Sequence, residues 1–149
     1  IIMIGPGTGI APMRAMLQER SHLRQSKGTV RKNILYFGCK TRDQDYLYED
    51  ELEAFKKEGV LNELHVAFSR ETSQKVYVQH RLLENGRSVF EWLESGAHVY
   101  VCGDAMRMAK DVENALIKII EKFGNKSELE AKQYLVDMRK AKRYQKDVY

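Results

Sequence analysis

Short apolar runs alternate with segments of helical periodicity along this sequence, and this alternation constrains the fold more than any other feature. Four short runs are rich in β-branched and aromatic residues and apolar at nearly every position, which is typical of strands buried on both faces of a sheet. These runs are Ile1–Ile4, Asn33–Gly38, Leu64–Ser69 and His98–Cys102. Apolar spacing predicts helices at Met13–Arg24, Tyr48–Lys57, Val78–Leu83, Ser88–Leu93, Ala105–Phe123 and Ser127–Ala141, and the ending RYQKDVY predicts a fifth strand. We therefore predict an α/β fold, a doubly wound parallel five-stranded sheet with helices on both faces.

The composition is that of a single globular domain. The chain has 149 residues, 43% of them hydrophobic, and no apolar run is long enough to span a membrane. Its net charge of +4 suits a phosphate ligand, whereas the spread of Lys and Arg along the chain argues against nucleic acid. Cys39 and Cys102 are the only cysteines, which predicts reduced thiols and a cytoplasmic protein. Because strand-like sequence starts at the first residue, we expect residues 1–149 to be one domain of a longer protein.

The first predicted strand runs directly into the loop Gly5-Pro6-Gly7-Thr8-Gly9. Ligands of doubly wound sheets bind outside the carboxyl ends of the strands, where this loop would lie. A nucleoside-triphosphate loop would continue with Lys, which is absent, and a dinucleotide fingerprint would place a third glycine where this sequence has Ile10. Small residues before a helix still let backbone N–H groups approach a pyrophosphate, and Thr8 adds a hydroxyl. The loop therefore predicts a phosphate site, with a ligand-free tight turn as the alternative.

A second group of phosphate-compatible side chains follows the third predicted strand, in FSRETSQKVYVQ. An enzyme that uses the phosphorylated dinucleotide needs cationic and hydroxyl donors where one that uses the unphosphorylated form has a carboxylate. Within nine residues the segment provides such donors at Ser69, Arg70, Lys75 and Tyr77. Glu71 lies among them and could simply face water. The segment predicts a 2′-phosphate site, with a solvated basic loop as the alternative.

The fourth predicted strand ends at Cys102, followed by Gly103 and Asp104 at the start of a helix. If this strand lies beside the first, Cys102 faces the glycine loop, and its thiol can contact the reactive ring of a cofactor. The alternative is that Cys102 is a small buried hydrophobic residue. Cys39 has no comparable context and is assigned to packing.

Together these segments resemble the NADPH-binding domain of the diflavin reductases. The resemblance covers essentially the whole chain and is carried by IMIGPGTGIAP, YFGCKTRDQDYLYEDEL, AFSRE, KVYVQ, HVYVCGDAMRMAKDV and RYQKDVY. It implies a ferredoxin–NADP reductase-type nucleotide-binding domain at residues 1–149. In the longer protein it implies an NADPH-dependent reductase that passes hydride from NADPH to FAD and then electrons through FMN to a haem protein. FAD and FMN would bind outside this chain, which alone would hold NADP(H) without turnover.

The resemblance also implies roles for individual residues. The positions that match the binding site for pyrophosphate, 2′-phosphate and adenosine are Gly7, Thr8, Ser69, Arg70, Lys75, Tyr77, Gln79 and Asp111. Cys102 and Asp147 match residues that assist hydride transfer from nicotinamide to FAD. Tyr149 matches the terminal aromatic residue that stacks on the flavin and moves aside for nicotinamide. The four histidines do not cluster at metal-ligand spacing, so no metal site is predicted.

Two branches of the diflavin family resemble this sequence. The ending KRYQKDVY is similar to the tail of the sulfite reductase flavoprotein, whereas GCKTRDQDYLYEDEL and LHVAFSRE are as similar to NADPH–cytochrome P450 reductase. We expect the sulfite reductase branch, with P450 reductase as the alternative. The implied partners are the FAD-binding and FMN-binding domains of the same polypeptide and a haem-containing acceptor, either the sulfite reductase haemoprotein or a P450.

Two more distant interpretations remain. A single-flavin ferredoxin–NADP reductase shares the fold, but the long last helix and the RYQKDVY tail favour the diflavin group. A non-catalytic dinucleotide-binding module would have no need of the set formed by Cys102, Asp147 and Tyr149.

Overall fold

The computed structural model describes residues 1–27 and 31–149, and within these residues five strands form one parallel sheet. The strands are β1 (Ile2–Ile4), β2 (Ile34–Cys39), β3 (Glu63–Phe68), β4 (Val99–Gly103) and β5 (Tyr144–Val148). Their order across the sheet is β3-β2-β1-β4-β5, so the strand order reverses between β1 and β4. The predicted doubly wound five-stranded sheet is confirmed.

The helices correspond to the predicted segments, but the first is longer than the predicted Met13–Arg24 by three residues at each end. They are α1 (Ile10–Lys27), α2 (Arg42–Asp45), α3 (Glu49–Glu58), α4 (Val78–Glu84), α5 (Gly86–Glu94), α6 (Met108–Gly124) and α7 (Glu128–Lys140). The short helix α2 was not predicted, because four residues are too few to show a helical period. Among the helices of the described residues, none has the length and apolar character needed to cross a bilayer.

Both ends of α6 differ from the prediction. The helix begins at Met108, not Ala105, because the Asp104 carboxylate accepts hydrogen bonds from successive backbone N–H groups before the first regular turn. At the other end Gly124 is still helical, and Asn125 takes the left-handed conformation that ends the helix, with φ of 51°.

Two hydrophobic clusters lie on opposite faces of the sheet. Ile2 and Ile4 of β1 pack with residues of α4, α5, α6 and α7, whereas Met3 between them packs with residues of α1 and α3. This alternation follows from the geometry of a strand, in which successive side chains point to opposite faces. Because β1 and β2 are buried at every position, the central strands are covered on both sides and only the strand ends are open to a ligand.

Candidate functional site

A cleft of about 740 Å³ opens at the carboxyl ends of the strands. Its walls come from the segments that follow β1, β2, β3 and β4, together with the last residue of the chain. The predicted site residues that line it are Gly7, Thr8, Ser69, Tyr77, Gln79, Asp111 and Tyr149. The volume falls within the range of small-molecule sites, about 300–1,000 Å³. The glycine loop and the segment after β3 are therefore brought together in one cleft, as the sequence predicts.

The three glycines of the first loop have different structural roles. A Cβ on Gly5 would lie 2.5 Å from the carbonyl oxygen of Gly9, and one on Gly9 would overlap the carbonyl oxygen of Cys102. Both glycines therefore allow close packing of loop, helix and β4. Gly7 is exposed and has φ of 58°, with open space where its Cβ would be. Of the three, Gly7 is the one whose backbone borders the cleft.

Thr8 contacts the last residue of the chain. Its Oγ1 and the phenolic oxygen of Tyr149 are 2.8 Å apart, so the two hydroxyls share a hydrogen bond. The tail is held in place by its backbone as well, because Tyr149 N–H donates to Gly103 and Ala105 N–H donates to Tyr149. The Tyr149 side chain nevertheless remains 70% exposed and forms the lip of the cleft.

The segment after β3 extends the sheet into the rim of the cleft. Ser69 N–H donates to the Cys39 carbonyl and Arg70 N–H donates to the Lys40 carbonyl, both at 2.9 Å, so the pairing of β2 with β3 continues beyond the strands. Ser69 lines the cleft, whereas Arg70 and Lys75 are exposed and are not part of its wall.

Another part of the cleft wall comes from the N-terminal ends of α4 and α6, which carry Tyr77, Gln79 and Asp111. Tyr77 precedes α4 and is 42% exposed, and its backbone N–H donates to Nδ1 of His80 at 2.9 Å. Gln79 lies in the first turn of α4, and its Nε2 reaches the Asp111 carboxylate in the first turn of α6 at 3.5 Å. The structure therefore places the predicted Asp111 next to the predicted Gln79.

Cys102 and Asp147 are partners across β4 and β5 but do not form the cleft wall. Cys102 is only 5% exposed and packs in the hydrophobic cluster beside α1. Burial, and then the nearby Asp147 carboxylate, raise the pKa of the Cys102 thiol, which is therefore neutral at physiological pH. The pair lies one residue behind Gly103, which does line the cleft.

The sequence analysis missed two cations on the cleft wall, Lys40 and Arg107. Each follows the carboxyl end of a strand, β2 and β4 respectively, which is the signal that could have identified them. None of the salt bridges between described residues uses Lys40, Arg70, Lys75 or Arg107. These charges therefore remain available to an anionic ligand.

The carboxylates at the cleft are engaged in hydrogen bonds with the protein. Asp104 accepts from the N–H groups of Met106, Arg107 and Met108, and these contacts hold the pKa of its carboxyl below the usual range. Asp45 accepts from the backbone and hydroxyl of Thr41. Both carboxylates therefore stabilise the local backbone conformation by accepting these hydrogen bonds.

Cys39, which the sequence analysis assigned to packing, is buried at the end of β2 and belongs to the same cluster as Cys102. Burial raises the pKa of its thiol to about 11, with Asp45 and Glu71 adding to the effect. Both cysteines are free.

The sequence profile of the oxidoreductase NAD-binding domain family matches residues 3–114. The chain belongs to this family. The matched residues span β1 to the start of α6, so the family profile includes the glycine loop, the segment after β3 and the end of β4. The predicted fold of ferredoxin–NADP reductase type is thereby confirmed.

Curated relatives of this NAD-binding domain match it from end to end. The chain is 56% identical to the sulfite reductase [NADPH] flavoprotein alpha-component of Photobacterium profundum, 54% identical to that of Aliivibrio fischeri and 52% identical to that of Bacillus subtilis, each over 100% of the chain. It spans 24% of the length of each of these relatives. The predicted resemblance to the diflavin reductases, in the sulfite reductase branch, is confirmed.

Proposed function

We propose that residues 1–149 form the NADP(H)-binding domain of a longer NADPH-dependent flavoprotein reductase, of the sulfite reductase type. One observation carries the proposal: the glycine loop and the segment after β3, which are about sixty residues apart in the sequence, open onto a single cleft. A dinucleotide that bears a 2′-phosphate needs a pyrophosphate site and a cationic site within one molecule's reach. The names of the relatives support NADPH as the nucleotide.

The residues at the cleft fit this ligand. NADP(H) is an extended polyanion. Lys40 and Arg107 lie on the cleft wall, Arg70 and Lys75 are exposed in the segment that follows β3, and none of the four forms a salt bridge between described residues. Guanidinium and ammonium groups form charge-assisted hydrogen bonds with phosphate oxygens. The Asp45 and Asp104 carboxylates on the cleft wall accept hydrogen bonds from the protein.

Residues of this chain would divide the binding of the nucleotide. Gly7 and Thr8 would contact the pyrophosphate, with Arg107 neutralising its charge. Lys40, whose carbonyl accepts a hydrogen bond from the Arg70 N–H, would lie toward the 2′-phosphate. Ser69, Arg70 and Lys75 would bind the 2′-phosphate, and Tyr77 with Gln79 would pack along the adenosine. When bound, the nicotinamide supplies hydride to a flavin held by another domain.

Cys102, Asp147 and Tyr149 would act at the nicotinamide end. Their proximity on β4 and β5 supports this role, since Cys102 and Asp147 are register partners and Tyr149 follows two residues later. The neutral thiol and the carboxylate would orient the ring, and Tyr149 would cover the flavin until nicotinamide displaces it. Cys102 is buried and does not line the cleft, so this role requires a rearrangement that brings its thiol to the nicotinamide.

The remaining partners belong to the longer protein. We propose that FAD-binding and FMN-binding domains lie elsewhere in the same polypeptide, and that electrons leave through FMN to a haem-containing acceptor, the sulfite reductase haemoprotein in preference to a P450. The identities of 52–56% with sulfite reductase flavoproteins favour that branch. Two free cysteines favour a reducing compartment such as the cytoplasm.

Titration calorimetry of the 149-residue chain tests the proposal, with NADP+, NAD+ and adenosine 2′,5′-bisphosphate as ligands. We expect NADP+ and the bisphosphate to bind and NAD+ to bind at least tenfold more weakly, because it lacks the 2′-phosphate. Equal affinity for NADP+ and NAD+ would contradict the assignment of the cationic edge, and absence of binding by all three would contradict the proposal as a whole.

A further inference from the structure

Glu71 connects the two loops that border the adenosine side of the cleft. Its Oε1 accepts a hydrogen bond from the backbone N–H of Arg42 at 2.6 Å. Arg42 is the first residue of α2, where backbone N–H groups lack partners within the helix. The carboxylate that could have faced water is therefore bound to the loop that follows β2.

The contact continues a series of backbone hydrogen bonds between the same two segments. Ser69 pairs with Cys39 and Arg70 pairs with Lys40 through the main chain, and the Glu71 side chain then reaches Arg42. Arg70 consequently lies between two attachment points rather than at the start of a free loop. We call residues 69–71 the serine–arginine turn.

The segment that receives the Glu71 bond is itself anchored. The Arg42 guanidinium lies 5.2 Å from the ring centre of Phe68 and 5.4 Å from that of Tyr46, and it forms a salt bridge with Glu49 at 2.7 Å. Phe68 is the last residue of β3, immediately before the serine–arginine turn. Side chains and backbone thus join the ends of β2 and β3 into one unit.

We propose that Glu71 is a positioning residue that fixes the serine–arginine turn for the 2′-phosphate, and that its bond to Arg42 keeps the carboxylate away from the adenosine ribose. This inference rests on the proposed function, since it assigns specificity to the same cleft. A carboxylate on the ribose is the device of enzymes that use the unphosphorylated dinucleotide. In this chain the acidic residue next to the expected 2′-phosphate site is Glu71. Its carboxylate accepts a hydrogen bond from the Arg42 N–H and so holds the serine–arginine turn instead of binding a ribose.

Two substitutions of Glu71 separate its bond from its charge. Glu71→Gln keeps an oxygen acceptor for the Arg42 N–H and removes the negative charge, whereas Glu71→Ala removes both. By calorimetry on the 149-residue chain, we expect Glu71→Gln to bind NADP+ as tightly as the wild type or slightly more tightly. We expect Glu71→Ala to bind NADP+ about three- to tenfold more weakly, with affinity for NAD+ changed less than about twofold.

Arg42 supplies an independent pair of variants. Arg42→Pro deletes the N–H donor at the first position of a helix, where proline is tolerated, while Arg42→Ala keeps the donor and removes only the guanidinium. Arg42→Pro should weaken NADP+ binding beyond the effect of Arg42→Ala. Combining Arg42→Pro with Glu71→Ala should add little to the loss of affinity, because both substitutions remove the same hydrogen bond.

Glu91→Ala is the matched control, because Glu91 is an exposed glutamate on α5 that does not line the cleft. Circular dichroism and melting curves establish that each variant is folded.

Three results would overturn the inference. If Glu71→Gln and Glu71→Ala both tighten NADP+ binding equally, Glu71 acts only through its charge. If Glu71→Ala weakens NAD+ as much as NADP+, Glu71 acts on a part of the ligand that both nucleotides share and not on the 2′-phosphate. If the full loss with Arg42→Pro also appears with Arg42→Ala, the guanidinium and not the N–H is responsible. A wild-type chain that does not prefer NADP+ would instead contradict the proposed function, so the two failures are distinguishable.

Discussion

The phenolic oxygen of Tyr149 lies 2.8 Å from Oγ1 of Thr8, so a hydrogen bond joins residues 141 positions apart across the mouth of the cleft. Thr8 belongs to the loop where we expect the pyrophosphate, and Tyr149 is the last residue of the chain. The tail therefore uses a hydroxyl that the nucleotide would also use. Binding of the nucleotide and seating of the tail are expected to compete.

Tyr149→Phe should strengthen NADP+ binding. The substitution keeps the aromatic ring and removes the phenolic hydroxyl that is hydrogen-bonded to the Thr8 hydroxyl, which leaves Thr8 free for the nucleotide. A net hydrogen bond is worth about 0.5–1.5 kcal/mol, or about two- to tenfold in affinity. Calorimetry measures the change, with Tyr134→Phe on α7 as a control that removes a phenol far from the cleft. Unchanged or weaker binding by Tyr149→Phe would show that the bond to Thr8 does not compete with the nucleotide.

Arg70→Ala should reduce affinity for NADP+ much more than for NAD+. A charge-assisted contact with the 2′-phosphate is worth about 1.5–3 kcal/mol, or about ten- to a hundredfold, and NAD+ has no such group. The ratio of the two dissociation constants is the quantity to measure. Arg87→Ala, which removes an exposed arginine beside Phe123, should leave that ratio unchanged. An equal loss for both nucleotides would refute the role of Arg70.

Gly9→Ala and Gly7→Ala should differ in stability. A methyl group at Gly9 overlaps the carbonyl oxygen of Cys102, so β4 or the loop must move, which costs at least about 2 kcal/mol. A methyl group at Gly7 would meet open space, so the only cost of Gly7→Ala is that of holding alanine in the left-handed conformation, about 1 kcal/mol. Urea unfolding gives both free energies. The packing role of Gly9 is wrong if its substitution proves the milder of the two.

The Asp104 cap should make stability depend on pH in a defined window. Hydrogen bonds from three N–H groups lower the pKa of this carboxyl in the folded state below its ordinary value of 3.8. A lowered folded-state pKa contributes stability that is fully present above the unfolded-state pKa and is lost as pH falls through the folded-state pKa. Asp104→Ala should therefore destabilise the chain at pH 7 and have progressively less effect below about pH 4. Urea unfolding at pH 7 and pH 3 tests this, and a pH-independent difference would argue against the cap.

Much of the fold was predictable because its signals are local. The buried strands are continuous apolar runs, and α6 has an apolar stripe of helical period, so each can be recognised from its own residues. The ends were less predictable. Asn125 rather than Gly124 ends α6, since either residue type can adopt the left-handed conformation and the choice depends on packing around the turn.

The candidate site was predictable in its parts but not in their contacts. The segments that hold Thr8 and Ser69 carry local chemistry that suits a phosphate, whereas Asp111 was expected at the site only from the resemblance to the diflavin reductases. Lys40 was missed because a single lysine after a strand is not distinctive until the cleft is seen. Glu71 was taken as a residue that could face water, because the Arg42 N–H that binds it lies on another strand's loop.

The sequence by itself determined the alternation of strands and helices, the burial of the central strands and the residue types at the carboxyl end of each strand, because these depend on neighbours within a few positions. Tertiary structure alone decided that β4 lies beside β1, that Gly9 packs against Cys102 and that Tyr149 reaches Thr8. These relationships depend on strand order and register, which bring together residues up to 141 positions apart. No local pattern encodes such a contact, since it exists only once both hydrophobic faces of the sheet are buried.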